Sequence, residues 1–306
     1  MTSITNFEEL RQLAFSSENS ATTAIAAVWP MDEASQQTLS YLINSTAVSL
    51  HIFTAADDSY MHELAQSNPK RIKLAVAADP GEASRMAVAA VRTGEVNVIY
   101  KGLVATDVLL HAILNRNEGI LAPGAVLTHM TAASVPARGS LILFTDAAVI
   151  PDPTDQQLEA MARYGIALCH KLGIKRPKVA TIHFTEKASD KFPYTLCYQR
   201  LSEMAERGEF GEAAIGGPMD IKSACDRHYA EIKGITGEVA GHANLLIFPN
   251  LVAANTFYKT MALFGGADMA GIVVGADVPI VVPSRADTYA SKLDSIALAC
   301  VAGNML

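Results

Sequence analysis

Short β-branched runs alternate with longer Ala-rich segments of helical period along the whole chain, and this alternation limits the possible folds more than any other feature. Ala24-Ile-Ala-Ala-Val-Trp29 reads as a strand, residues 32–44 as a helix, 48–53 as a strand, 60–66 as a short helix and 72–76 as a strand. Pro80 opens an Ala-rich helix where its missing amide costs little, and Gly94 closes it. Residues 96–100 give the next strand, which runs into Gly102. Strands separated by single helices predict a parallel sheet covered on both faces, an α/β fold.

From Gly139 the rhythm changes. Strands are expected at 140–145, 178–183 and 244–249, and helices at 156–172, 194–208, 224–233 and 255–264. Two short strands follow at 270–275 and 278–283, and a last helix starts at Ser284 and runs to about Ala302. At 306 residues the chain exceeds the size at which single cores stop growing, so two domains are expected, with boundaries near Gly139 and Pro283.

Half of the residues are hydrophobic and 18% are charged, which suits a large packed core and excludes disorder. The formal net charge of −7 offers nothing to nucleic acid, so a polyanionic ligand needs a few placed lysines and arginines. No apolar run approaches the ~18 residues of a membrane helix, and the start lacks a secretory pattern. Cys169, Cys197, Cys225 and Cys300 form no close pair, which points to a reducing cytoplasm rather than a zinc or dithiol site. Phosphate-loop, nucleophile-elbow and His-Glu-x-x-His motifs are all missing, as is metal-ligand spacing.

The most informative segment is Pro283-Ser284-Arg285-Ala286-Asp287, where a buried-looking strand gives way to the last helix. Ser284 as N-cap with Asp287 three residues on is a capping box. That leaves Arg285 unexplained, because the first helical turn disfavours a cation. An anion at the helix start accounts for it: free amides point outward there, Ser284 adds a hydroxyl and Arg285 a bidentate fork.

Other candidates surround this one. Lys101-Gly102 follows a strand end, with Thr106 just beyond, where open α/β sheets bind ligands. A surface lysine is the plain alternative. Asn255 and Lys259 stand one helical turn apart, with a solvated face as the alternative. Gly216-Gly217-Pro218 and Gly265-Gly266 permit close backbone approach. Thr128-His129 sits before a loop, where a packed histidine is the bland reading.

Together, in order, Lys101 to Thr106, Leu127-Thr-His129-Met, Phe144-Thr-Asp146, Pro177-Lys-Val-Ala, Gly217-Pro218, Lys233-Gly-Ile, Val239-Ala-Gly241, Asn255 to Lys259, Gly271 to Ala276 and Pro279 to Asp287 resemble the phosphate acetyl/butyryltransferase family, its butyryl branch most closely. The resemblance covers about two-thirds of the chain, from Lys101 to the end. It implies a two-domain α/β/α sandwich like that of isocitrate/isopropylmalate dehydrogenases, with the active site in the interdomain cleft. The last helix then returns to the first domain, giving 1–139 plus 283–306 and 140–282. It also implies a homo-oligomer and the reaction acyl-CoA + phosphate ⇌ acyl phosphate + CoA, by direct transfer in a ternary complex. Coenzyme A thioester is then a substrate, with no permanently bound cofactor and no metal.

On that resemblance Ser284, Arg285 and Asp287 are the catalytic candidates, and Lys101, Gly102, Thr106, His129, Gly217, Pro218, Asn255 and Lys259 bind phosphate or CoA. Where the family typically carries acids, this chain has Gly216, Lys222, His242, Asn244, Asn250 and Val252. Those departures keep open a catalytically silent homologue that binds CoA or acyl phosphate as a sensor. They count against a metal- and NAD-dependent decarboxylating dehydrogenase, which needs clustered aspartates.

Overall fold

A computed structural model describes residues 3–284 and 287–303. The chain divides into two compact units, one made of Phe7–Leu127 with Ala270–Leu306, the other of Met1–Asn6 with Thr128–Met269.

In the first unit α1 (Phe7–Ala14) and α2 (Ser17–Ala21) precede β1 (Ala24–Val28), α3 (Glu33–Ser45), β2 (Ser49–Thr54), α4 (Ser59–Ser67), β3 (Ile72–Val76), α5 (Pro80–Arg92), β4 (Val98–Lys101) and α6 (Thr106–Ile113). Local chemistry sets the helix starts. The carboxylates of Asp32, Asp58 and Asp79 accept from Ser35 N, Met61 N and Glu82 N, and Pro80 occupies the first turn of α5. Apolar residues on one face of α3 and α5 (Leu39, Leu42, Ile43; Ala83, Ala87, Val88, Val91) are buried, as are Ile25 to Val28 of β1.

The second unit holds β5 (Thr128–Ser134), β6 (Leu141–Thr145), α7 (Asp155–Lys171), β7 (Lys178–Ile182), α8 (Pro193–Glu206), β8 (Ala214–Met219), α9 (Ile221–Cys225), α10 (Arg227–Ile232), β9 (Leu245–Ile247) and α11 (Leu251–Leu263). Its strand order is β5-β6-β9-β7-β8. Thr154 and Gln157 form a complete capping box at α7. Phe144, Phe248, Ala180, Leu246 and Met219 lie in one buried cluster, with Phe257 and Tyr258 of α11 packed on it.

The chain then completes the first unit with β10 (Asp268–Val274), β11 (Ile280–Val281) and α12 (Tyr289–Ala302), for an order β3-β2-β1-β4-β11-β10.

The alternation predicts a parallel sheet, but both units also contain an antiparallel pair. β5 runs antiparallel to β6, and β10 antiparallel to β11, while β1–β4, β4–β11, β6–β9, β7–β9 and β7–β8 are parallel. Two direct strand-to-strand connections cause this: residues 135–140 and 275–279 are too short for a crossover helix. The two compact units meet in the chain at 127/128, just before β5, and at 269/270, near the start of β10. Gly139, at φ +70°, lies in the β5–β6 connection, so β5 stays with its partner.

Candidate active site

In the first unit the carboxyl ends of β1 and β4 are tied together. Gly102 N donates to Val28 O at 2.8 Å and Leu103 N to Trp29 O at 2.7 Å. A Cβ on Gly102 would stand 2.4 Å from Trp29 O and 2.6 Å from Pro30 Cα, so only glycine allows this approach. Lys101 is the last residue of β4 rather than a loop residue, and it is 4% exposed. Burial turns its ammonium back on its own loop, 3.0 Å from Val104 O and 3.3 Å from Gly102 O. Thr106 is exposed and opens α6.

The last helix does not begin at Ser284. Thr288 caps α12, its hydroxyl accepting from Ser291 N at 3.2 Å. Ser284 and Asp287 instead close a turn one step earlier: Asp287 N donates to Ser284 O at 3.1 Å, and Ser284 N to Asp287 Oδ2 at 2.7 Å. The expected carboxylate-to-amide contact of a capping box is therefore present, but it fastens a turn after β11. Arg285 lies outside the described residues, as does Ala286.

A polar cluster that sequence reasoning missed joins α12, α3 and β4. Lys292 of α12, 2% exposed, donates to Asp32 Oδ1 at 2.5 Å and to Ser35 Oγ at 3.2 Å. Ser35 Oγ in turn bonds Asp32 Oδ2 at 2.5 Å and meets the Tyr100 hydroxyl at 2.7 Å. Burial opposes ionisation of Asp32, but hydrogen bonds from Lys292 and Ser35 prevail and hold its carboxyl below the usual range. Burial pushes the Tyr100 phenol up, and the charges of Asp32 and Asp287 add to the effect. Tyr100 thus lies within electrostatic reach of Asp287.

The second unit has its own hub. Asp146, 2% exposed, accepts from Thr128 Oγ1 (2.9 Å), His129 N (3.0 Å), Ala148 N and Val149 N (both 2.8 Å) and Ile150 N (3.2 Å). His129 is buried in β5, not placed before a loop, and its Nδ1 meets Thr131 Oγ1 at 3.2 Å. Asn255 donates to Ala147 O at 2.9 Å, so the start of α11 is pinned to the segment Asp146 shapes. Lys259, one turn on, is exposed, its ammonium 5.1 Å from the Tyr258 ring centre. Gly217 and Pro218 lie in β8, joined by a cis peptide bond. A Cβ on Gly217 would come within 2.2 Å of Thr181 Oγ1 and 2.6 Å of Thr181 O.

The six positions without their expected acids have distinct uses. Asn250 caps α11 through Ala253 N, and Asn244 Oδ1 accepts from Lys178 N, both at 3.0 Å. Each is an acceptor task that a carboxylate oxygen also performs. Lys222 stands over the Tyr229 ring at 4.3 Å. A Cβ on Gly216 would meet Val239 Cβ at 3.0 Å, a contact tight enough to shift its neighbours. Val252 is exposed on α11 and His242 is exposed in the loop before β9.

Among the described residues no three His, Cys, Asp or Glu side chains gather as a metal site, and no helix is long and apolar enough to cross a membrane.

The fold is that of the phosphotransacylases. A branched-chain phosphotransacylase from Enterococcus faecalis V583 superposes with a TM-score of 0.80 at 24% identity, over 92% of this chain and 98% of that one. The family model for Phosphate acetyl/butaryl transferase matches residues 32–300, and the chain belongs to that family. It is 33% identical over 256 residues to a probable phosphate butyryltransferase of Bacillus subtilis (strain 168), covering 83% of this chain and 85% of the relative. It is also 35% identical over 219 residues to a phosphate acetyltransferase of Rhizobium meliloti, covering 72% and 69% respectively.

Proposed function

We propose that this chain exchanges a short acyl group between coenzyme A and inorganic phosphate, butyryl-type chains being preferred to acetyl, by direct transfer in a ternary complex. A phosphate oxygen attacks the thioester carbonyl carbon, the C–S bond breaks, and the proton of hydrogen phosphate ends on the CoA sulfur. The observation that carries this reading is family membership, supported by the resemblance of Ser284-Arg285-Ala286-Asp287, separated from β11 by two residues, to a segment of that family.

In this proposal Arg285 holds phosphate against the carbonyl, replacing the entropy of encounter with fixed geometry. Ser284 donates to the developing oxyanion or to the departing sulfur. Asp287 keeps the turn in shape through the Ser284 amide. Lys101 and Lys259 supply positive charge for phosphate groups, with Gly102, Thr106, His129, Gly217, Pro218 and Asn255 shaping the surfaces on which the substrates rest. The acceptor tasks of Asn244 and Asn250 favour an active enzyme over a silent homologue, since those two replacements keep the local structure.

Arg285→Ala tests the role of the segment. Phosphate-dependent kcat is expected to fall by about 10²–10³ or more, as for loss of one preorganised transition-state donor, with the circular dichroism spectrum unchanged. Wild-type turnover in a folded variant would remove Arg285 from the mechanism.

A further inference from the structure

The second unit carries an apolar slot that the site residues above do not account for. Its volume is about 440 Å³, and its walls include Ile182, Phe184, Ile221, Phe248, Ala253 and Phe257. That volume lies within the ~300–1,000 Å³ usual for small-molecule sites. It opens at the carboxyl ends of β7 and β9, against α11 from Ala253 to Thr260, and the carboxyl ends of strands are where α/β sheets receive ligands.

Phe184 is the anomaly there. It is 70% exposed, yet its ring is held, with the His183 ring centre at 4.6 Å and the Phe192 ring edge-on at 4.9 Å. A large apolar side chain fixed by its neighbours and left open to water is a stacking platform waiting for a flat partner. The flanking charge favours an anionic ligand. Lys222 follows Ile221 of the wall, and Lys259 precedes Thr260 of the wall. Among the described residues neither lysine pairs with a carboxylate, each resting on a tyrosine ring instead. Lys259 is also the one charged residue of α11.

We propose that this slot holds the adenine ring of coenzyme A, stacked on Phe184, with Lys222 and Lys259 serving the nucleotide phosphates. The proposal rests on the reading of acyl-CoA as substrate and adds to it the residues that grip the nucleotide end. A purine fits the observations better than an acyl chain, because a saturated chain has no use for an exposed, oriented aromatic face.

Calorimetric titration of the full chain with CoA and with 4′-phosphopantetheine, which lacks the adenosine, tests this directly. Phe184→Ala should raise the Kd for CoA by about 5- to 150-fold, the range of one base–aromatic stack. The Kd for phosphopantetheine should not move, and Phe184→Trp should restore tight CoA binding. Unchanged CoA binding in Phe184→Ala, or equal weakening of both ligands, would overturn the proposal. Turnover is read separately. CoA binding that depends on Phe184 without phosphate-dependent thiol release supports the slot and contradicts the acyltransferase reading. Turnover with Phe184-independent CoA binding does the reverse.

Discussion

Lys292 and Asp32, 260 positions apart in the chain, meet at 2.5 Å with the lysine almost wholly buried. The pair joins the last helix to the N-terminus of α3, and Ser35 carries the connection on to Tyr100 at the end of β4. Removing one partner of such a pair leaves a charge out of water with nothing to balance it. Lys292→Met and Asp32→Asn should each lower stability by about 2–4 kcal/mol. The double variant should lose clearly less than the sum, because the two side chains interact. Urea unfolding of the four proteins checks this, and additivity would show that the pair contributes nothing as a pair.

The pH dependence follows from the same carboxyl. The folded state depresses the Asp32 pKa, so its contribution is present in full above the unfolded value of about 3.9 and is lost as pH falls through the lower folded value. The difference in urea midpoint between wild type and Asp32→Asn should be constant from pH 5 to about 8 and shrink below about pH 4. A difference that grew on acidification would mean that the folded state raises this pKa.

Asp146 should tolerate no replacement. Four backbone amides and the Thr128 hydroxyl donate to its two oxygens. Asp146→Asn turns an amide N–H₂ toward donors, and Asp146→Ala leaves the amides unmatched at about 1–3 kcal/mol each. The expected loss exceeds roughly 4 kcal/mol for alanine, seen in thermal unfolding as a large fall in Tm or as failure to accumulate folded protein. A stable Asp146→Ala variant would show that water replaces the carboxylate.

Gly102→Ala separates function from fold. The added methyl meets the backbone of Trp29 and Pro30, so the β1 and β4 ends must part. Gly94→Ala serves as control: its φ of +72° strains a side chain, but nothing lies within 4 Å, so a cost of about 1–2 kcal/mol is expected with kcat/KM intact. Gly102→Ala should lower kcat/KM by about 10²-fold, as displacement of a site loop by an ångström does. Equal effects of the two substitutions on kcat/KM would dissociate this loop from catalysis.

Much of the framework was legible because it rests on local rules. Asp79 with Pro80 marks the start of α5, and Gly94, at φ +72°, follows its end. The strand β5 was not, since Thr128-His-Met-Thr-Ala-Ala-Ser134 has few β-branched residues, and pairing with β6 overrides its weak propensity. Ser284-x-x-Asp287 and Thr288-x-x-Ser291 are both N-terminal signals, and the sequence alone does not say which one the helix uses. The Asp32–Ser35–Tyr100–Lys292 cluster drew no reading because its members come from three distant segments. Each is an ordinary cap, strand or helix residue until the fold brings them together.

The most direct test is phosphate-dependent release of free CoA thiol from acetyl-, propionyl-, butyryl- and isobutyryl-CoA, with a control lacking phosphate. The acyltransferase reading predicts thiol release that requires phosphate and is fastest with the four-carbon chains. Release that ignores phosphate, or no release from any of the four by folded protein, would contradict it.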